Sequence, residues 1–393
     1  MSDGRRLLFY SHNGVGIGHV QRQLRLASAY RRRHPEAGVL VITGSHAAGS
    51  LQFPDGVDYL KLPSIRMVDR YRTWTPRDVS IDMATLSRMR AELIRDAVRR
   101  FRPHLLVADF MPAGPYGELL LALEELRKRR GLAVAGFRDI IDEPSFVREL
   151  WQETGVYQVL REYYAAVCVY GSPEVGDFAA YGLAEDDHPP LHYTGYLVED
   201  PVGKLPRQAR GPRPLVVATT GGGVDGGPLL QAFTEAAAAS VARGTWLAIA
   251  GPLLAAGELT ALQEAAAGTG VRVLRTVARM GALLDQADVV VSMAGYNATC
   301  ELLACRTPAI IIPAARESRE QQLRGEALVR WGRAEVLDAG SATPKALAGA
   351  IARGLAGGPA PPPAPRTDGM NAALDLFDRV ASTARGLRPS TSR

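Results

Sequence analysis

Short runs of consecutive apolar residues alternate along almost the whole chain with longer stretches in which apolar positions recur every three or four residues. The first pattern predicts strands buried on both faces and the second predicts amphipathic helices, so the fold class expected is α/β with parallel sheets covered by helices. In the first half, strands are expected at Arg6–Ser11, Gly38–Thr43, Val57–Leu62, His104–Asp109, Leu132–Phe137 and Ala166–Tyr170. Long helices are expected at His19–Arg33, Ile81–Phe101 and Ser145–Tyr164. The second half repeats the rhythm, with strands at Leu215–Ala218, Thr245–Ala250, Val271–Leu274, Val289–Ser292, Ala309–Ile312 and Ala334–Leu337. Two doubly wound domains are the expectation, 1–200 and 214–354, joined by a Pro- and Gly-rich linker at 201–213. A second Gly/Pro-rich break within 355–393 precedes a helical stretch, Met370–Thr383, expected to cross back to the first domain.

A chain of 393 residues exceeds one ordinary core, which agrees with two domains. No apolar run reaches the length needed to span a bilayer, and Leu7–Tyr10 is too short for a secretory signal, so a cytoplasmic protein is expected. Three cysteines, Cys168, Cys300 and Cys305, lack CxxC or zinc spacing, which argues against disulfides and a structural metal. The net charge of +5 comes from arginine runs such as Arg31–Arg33, placed at helix ends where cations offset the dipole. It leaves contact with an anionic membrane surface open. No basic stripe interleaved with aromatics points to nucleic acid, and oligomeric state is not read from the sequence.

Chemistry concentrates where strands empty into glycine-rich turns. Asp288 to Glu301 reads as a strand, the small residues Ser292, Ala294 and Gly295, and a helix beginning near Tyr296, Asn297, Ala298 and Thr299. Unpaired N–H groups and the macrodipole make such a helix start a diphosphate site, with Glu301 spaced to accept ribose hydroxyls. A second loop, Thr220-Gly221-Gly222-Gly223, follows another strand and could clasp the same ligand. The first strand ends in His12-Asn13-Gly14-Val15-Gly16-Ile17-Gly18-His19, which fails the dinucleotide fingerprint because His19 replaces the third glycine. NAD is therefore not expected, nor is any other cofactor.

His19 stands at the mouth of that loop, placed to take a proton from a substrate hydroxyl, with His12 as the competing histidine. Asp109 ends another strand at the same expected edge; it could orient His19 or serve as the base itself. Arg138 and Asp139 add charge after a further strand and, with His12 and Asn13, are the expected acceptor contacts. The arginine-rich segment from Pro63, containing Tyr71 and Trp74, shows no clear structure before about Val79 and is expected to act as a lid or acceptor wall. Neither a DxD for a divalent metal nor a GxSxG elbow is found.

With these residues in place, the chain resembles the two-domain GT-B glycosyltransferases, in the family 28-like branch that includes the murein lipid-linked N-acetylglucosaminyltransferase. Gly14 to His19 is similar to that branch's amino-terminal loop, which implies that Gly16 and Gly18 face diphosphate and acceptor. Ala294 to Glu301 is similar to its donor signature, and Glu317, Gln321 and Gln322 fall where it places contacts to the donor sugar. Thr276 to Met280, with Val277 and Met280, corresponds to the loop that cradles uracil. Met293-Ala294 departs from the Arg and Ser or Ala usual in relatives. The resemblance implies two Rossmann-like domains facing across a cleft. It also implies metal-independent inverting transfer of a sugar from a nucleotide diphosphate, UDP above all, to a hydroxyl of a small or lipid-linked acceptor. An epimerase or hydrolase acting on the same nucleotide sugar, and a noncatalytic nucleotide-sugar-binding protein, remain the alternatives.

Overall fold

A computed structural model describes residues 4–12, 16–183, 188–240, 243–315, 318–357 and 366–386. Two compact units emerge: residues 1–195 with 368–393, and residues 196–367.

Unit 1 runs β1 (Arg6–Ser11), α1 (Gly18–Arg33), β2 (Gly38–Thr43), β3 (Val57–Lys61), β4 (Ile65–Asp69), β5 (Thr73–Pro76), α2 (Met83–Phe101), β6 (Leu105–Asp109), α3 (Leu120–Lys128), β7 (Leu132–Arg138), α4 (Pro144–Glu153), α5 (Val156–Tyr163), β8 (Tyr164–Tyr170) and β9 (Leu191–Tyr193). Seven of these strands form one sheet in the order β3-β2-β1-β6-β7-β8-β9, and every pair in it is parallel. The order reverses between β1 and β6, the point at which doubly wound sheets bind ligands at their carboxyl edge. Ser11 and Asp109 are register partners there. Apolar runs made this sheet predictable because its central strands are buried throughout: Leu7 to Tyr10 and Leu105 to Ala108 are essentially inaccessible.

Two expectations need correction. The segment after Pro63 is structured: β4 and β5 pair as an antiparallel hairpin, with Trp74 buried against Ile65 and Leu86. The helix expected over Ser145–Tyr164 is two helices, because Gly155 takes φ +68°, a left-handed conformation that ends α4 and starts α5.

Unit 2 runs β10 (Leu215–Thr219), α6 (Gly227–Ala239), β11 (Thr245–Ile249), α7 (Ala256–Ala266), β12 (Val271–Leu274), α8 (Met280–Asp285), β13 (Val289–Ser292), α9 (Tyr296–Ala304), β14 (Ala309–Ile311), α10 (Glu320–Arg330), β15 (Ala334–Val336) and α11 (Pro344–Leu355). Its parallel sheet has the order β12-β11-β10-β13-β14-β15, so it too reverses beside its first strand, where Thr219 pairs with Ser292. Residues 201–213 pack on unit 2: the Pro212 carbonyl accepts from Thr245 Oγ1 at 2.8 Å and the Arg210 carbonyl from Arg272 at 3.2 Å. The chain passes between units at 195/196 and 367/368 rather than at a loose linker.

The final helix, α12 (Gly369–Gly386), belongs to unit 1 and lies against α1, β6, β7 and β8. Phe377 is buried edge-on to Phe9 of β1, and Asp378 gathers Arg5, His34 and Arg33. Among the described residues, no helix is long and apolar enough to cross a membrane.

Candidate functional site

At the carboxyl edge of unit 1, the turn between β1 and α1 delivers His19 one residue into the helix. Gly16 takes φ +68° with open space where a Cβ would stand, so the turn requires glycine for its conformation and not for room. Gly18 opens α1. Asn13, Gly14 and Val15 lie outside the described residues.

His19 Nδ1 is 3.1 Å from Asp109 Oδ2, joining groups 90 residues apart through the neighbouring strands β1 and β6. Arg22, one turn further along α1, donates from Nη2 to both Asp109 oxygens at 2.6 and 2.8 Å and stands 3.0 Å from His19 Nδ1. The Asp109 side chain is 0% exposed and Arg22 2%, whereas His19 keeps 12%. Burial alone would raise the Asp109 carboxyl; the Arg22 guanidinium and His19 outweigh it and hold it down to about 2.

An ionised carboxylate only accepts, which assigns the Nδ1 proton to the bond with Asp109 and leaves the His19 Nε2 lone pair as the proton acceptor. Burial lowers the His19 pKa against the pull of Asp109, so the ring is neutral near pH 7. Of the two candidate bases, Asp109 is therefore the orienting group: it is enclosed, clamped and far too acidic. Arg22 went unnoticed in the sequence, although its position three residues after His19 puts both on one helix face.

The residue after Asp109 completes the edge. Phe110 has φ +73°, a strained conformation for a bulky side chain and one that concentrates at functional sites. Its ring stacks on His12 at 5.9 Å, touches His19 at 5.1 Å, and lies under the Arg138 guanidinium at 5.0 Å. His12 is buried between these rings and Trp74, and its Nδ1 has no hydrogen-bond partner among the described residues. Burial and the neighbouring His19 lower its pKa strongly, so it is a neutral wall of the site. Asp139, expected to contact the acceptor, is fully buried instead; its carboxylate accepts from the Ile140 N–H at 2.9 Å, and its Cβ and backbone pack into the space that the glycines at 171 and 176 leave open.

The Arg22 contact makes a checkable statement. Arg22→Gln removes a cation that lowers the His19 pKa, so the acidic limb of the kcat/KM profile should move to higher pH, with Arg22→Lys shifting it less. A purely structural role would lower the rate at all pH values and leave the limb in place.

Unit 2 offers a second edge with the same device. Ala294, after β13, has φ +55°, and Gly295 caps α9 with extended backbone, so the chain turns sharply into the helix. Buried Arg324 of α10 holds this turn, donating to the Ala294 carbonyl at 3.3 Å with its guanidinium over the Tyr296 ring. Ser292 and Thr299 are buried with hydroxyls that have no partner among the described residues, and Gly295 has open space beside it. Asn297 and Glu301 are half-buried on the first turns of α9, whereas Ala298 is packed into the unit.

Other expected donor contacts turn inward. The Tyr296 ring stacks on Tyr196 and its hydroxyl accepts from the Leu197 N–H, so this side chain is part of the packing. Thr220 Oγ1 donates to the Ala250 carbonyl at 2.8 Å. Gly223 and Gly251 are glycines because two loops meet: a Cβ on Gly223 would stand 2.4 Å from the Ala250 carbonyl, and one on Gly251 2.6 Å from Gly222. Gly221, at φ +63°, remains exposed. Gln321 is buried and its carbonyl accepts from the Ala314 N–H at 2.8 Å, fixing the loop after β14, while Gln322 donates to Glu326 at 3.2 Å. Glu317 lies outside the described residues. Val277 and Met280 are half-buried beside Arg279, which has φ +109° at the start of α8.

No protein of curated function is close enough in sequence to count as a match. Residues 253–379 match the glycosyltransferase family 28 C-terminal domain. Among solved structures, the chain is similar to the calicheamicin glycosyltransferase CalG4, with TM-score 0.61 and 17% identity over 98% of this chain and 100% of that one. It is also similar to MurG of Acinetobacter baumannii, with TM-score 0.57 and 13% identity over 95% and 99%. A third is Phytolacca americana UGT2 complexed with UDP-2-fluoro-glucose and pterostilbene, with TM-score 0.56 and 12% identity over 100% and 97%. The family 28 C-terminal domain is thus matched across most of the second unit, and the two doubly wound sheets give the chain the GT-B fold of the glycosyltransferases it is similar to.

Proposed function

We propose that the protein is a metal-independent, inverting glycosyltransferase that moves a sugar from UDP to a hydroxyl of a small-molecule or lipid-linked acceptor. The observation that carries this reading is the clamped pair of His19 and Asp109. The acceptor O–H gives its proton to His19 Nε2 as its oxygen attacks the anomeric carbon. The bond from that carbon to the diphosphate breaks with its electron pair leaving on the diphosphate oxygen. One displacement inverts the centre, and Asp109 stabilises the imidazolium that forms.

The start of α9 supports donor binding, since its N–H groups and dipole would meet the charge developing on the diphosphate without a metal. UDP as carrier is supported by the UDP-sugar complex of the plant relative. The test is a thermal-shift panel of UDP-, dTDP-, GDP- and ADP-sugars with and without EDTA. A ligand that binds the native state raises its melting temperature by mass action. UDP-sugars should shift it equally in both conditions; no shift with any nucleotide sugar overturns the reading. A time course with donor alone then separates transfer from hydrolysis or epimerisation.

A further inference from the structure

Resting on the transferase reading, we propose that the acceptor is an aromatic hydroxyl compound whose rings sit in an apolar cavity of unit 1 walled by Tyr71, Trp74, Phe110, Tyr116 and Trp151. The cavity encloses about 350 Å³, at the lower end of the range for small-molecule sites. It lies one ring away from the base: Phe110 and Trp74, which line it, are the rings that touch His19 and His12.

Its walls have little to offer a sugar. The Trp74 N–H donates to the Tyr116 hydroxyl at 3.1 Å, Thr154 Oγ1 to the Leu150 carbonyl at 2.6 Å, and the Pro112 carbonyl accepts from Tyr164 at 2.7 Å. Arg72, the one charged lining residue, is bound by Glu149 and Glu153. A saccharide here would lose its hydration with these groups already engaged, a cost of roughly 1–3 kcal/mol for each buried hydroxyl left unpaired. Flat rings suit it instead, because five aromatic side chains from the β4–β5 hairpin, the turn after β6 and α4 present faces and edges for stacking. Tyr116, 53% exposed, and Leu120 leave an apolar rim through which such a molecule enters.

The chemistry agrees with the base. A phenolic O–H has a pKa of about 10, far more acidic than an alkanol, so a neutral imidazole suffices to take its proton as the aryl oxygen bonds to the anomeric carbon. The leaving diphosphate carries away the electron pair of the broken bond.

The test is calorimetric titration of the full chain with 2-naphthol, decanol and a methyl disaccharide, all without donor. The expected result is that 2-naphthol binds, that Leu120→Trp and Val159→Phe each weaken it by about tenfold, and that both variants keep the wild-type melting shift with UDP-sugar. Adding donor should then give the naphthyl glycoside. The proposal is overturned if decanol or the disaccharide binds in preference, if neither variant weakens 2-naphthol, or if bound 2-naphthol yields no glycoside with a donor that shifts melting. Intact donor shifts without naphthol binding strike only the acceptor assignment, whereas loss of all donor shifts strikes the transferase reading.

Discussion

His19→Ala is expected to lower the rate of sugar transfer roughly a thousandfold while the UDP-sugar melting shift stays at its wild-type size. The imidazole is the exposed member of its cluster, and its partner Asp109 is sealed beneath it, so no second group stands ready to take the proton. Asp109→Asn should fall nearly as far: an amide can donate to Nδ1, which favours the tautomer with its proton on Nε2 and removes the acceptor lone pair. In the wild type, the depressed His19 pKa keeps the base neutral below the ordinary histidine value of about 6.5, so transfer should hold its rate as pH falls past that point and decline only below it. Single-turnover rates across pH, with donor affinity measured separately, check both variants. A His19→Ala enzyme that keeps even a tenth of the wild-type rate would show that the base lies elsewhere.

Gly295→Asp should cost about a hundredfold in donor affinity, while the melting temperature without ligand holds or rises. The position has φ −62° and ψ 153°, open to any residue, and no atom lies within 4 Å of a new Cβ. Aspartate is among the best N-caps, so its carboxylate would accept from N–H groups at the start of α9 and stabilise the helix by about 1 kcal/mol. Those are the groups proposed for the diphosphate. A ligand that loses two charge-assisted bonds of roughly 1.5–3 kcal/mol each and meets a like charge must weaken sharply. Gly295→Ala, which adds bulk without charge, is the control. Unchanged UDP-sugar binding in the aspartate variant would remove α9 from the donor site.

The strands were legible because β1, β6, β10 and β13 are buried on both faces and cannot be written in polar residues. The meeting of His19 with Asp109 was harder to read, since 90 residues separate them and only the sheet order brings β1 beside β6. The β4–β5 hairpin escaped because Ile65 and Trp74 are the buried residues of its two strands, too few positions to set a period. Prolines and glycines over 201–213 read as a loose connection, yet that segment is held by carbonyls accepting from Thr245 and Arg272, contacts that composition does not record. Gly223 was read as part of a ligand clasp; a Cβ there would meet the loop at Ala250 and Gly251, so it serves loop against loop. Functional and packing glycines look alike in a sequence because both answer the same demand for close backbone approach.

The placement of α12 gives the molecule an order of assembly. Phe377 and Asp378 close over β1 and α1, which precede every other element described, so that face of the first sheet waits uncovered while the chain between them and α12 is translated. Unit 2, contiguous in the chain, can reach its native state first. The half of the protein carrying the proposed base is thus the last to mature, and a nascent chain halted before α12 would present bare apolar sheet to chaperones rather than a competent enzyme.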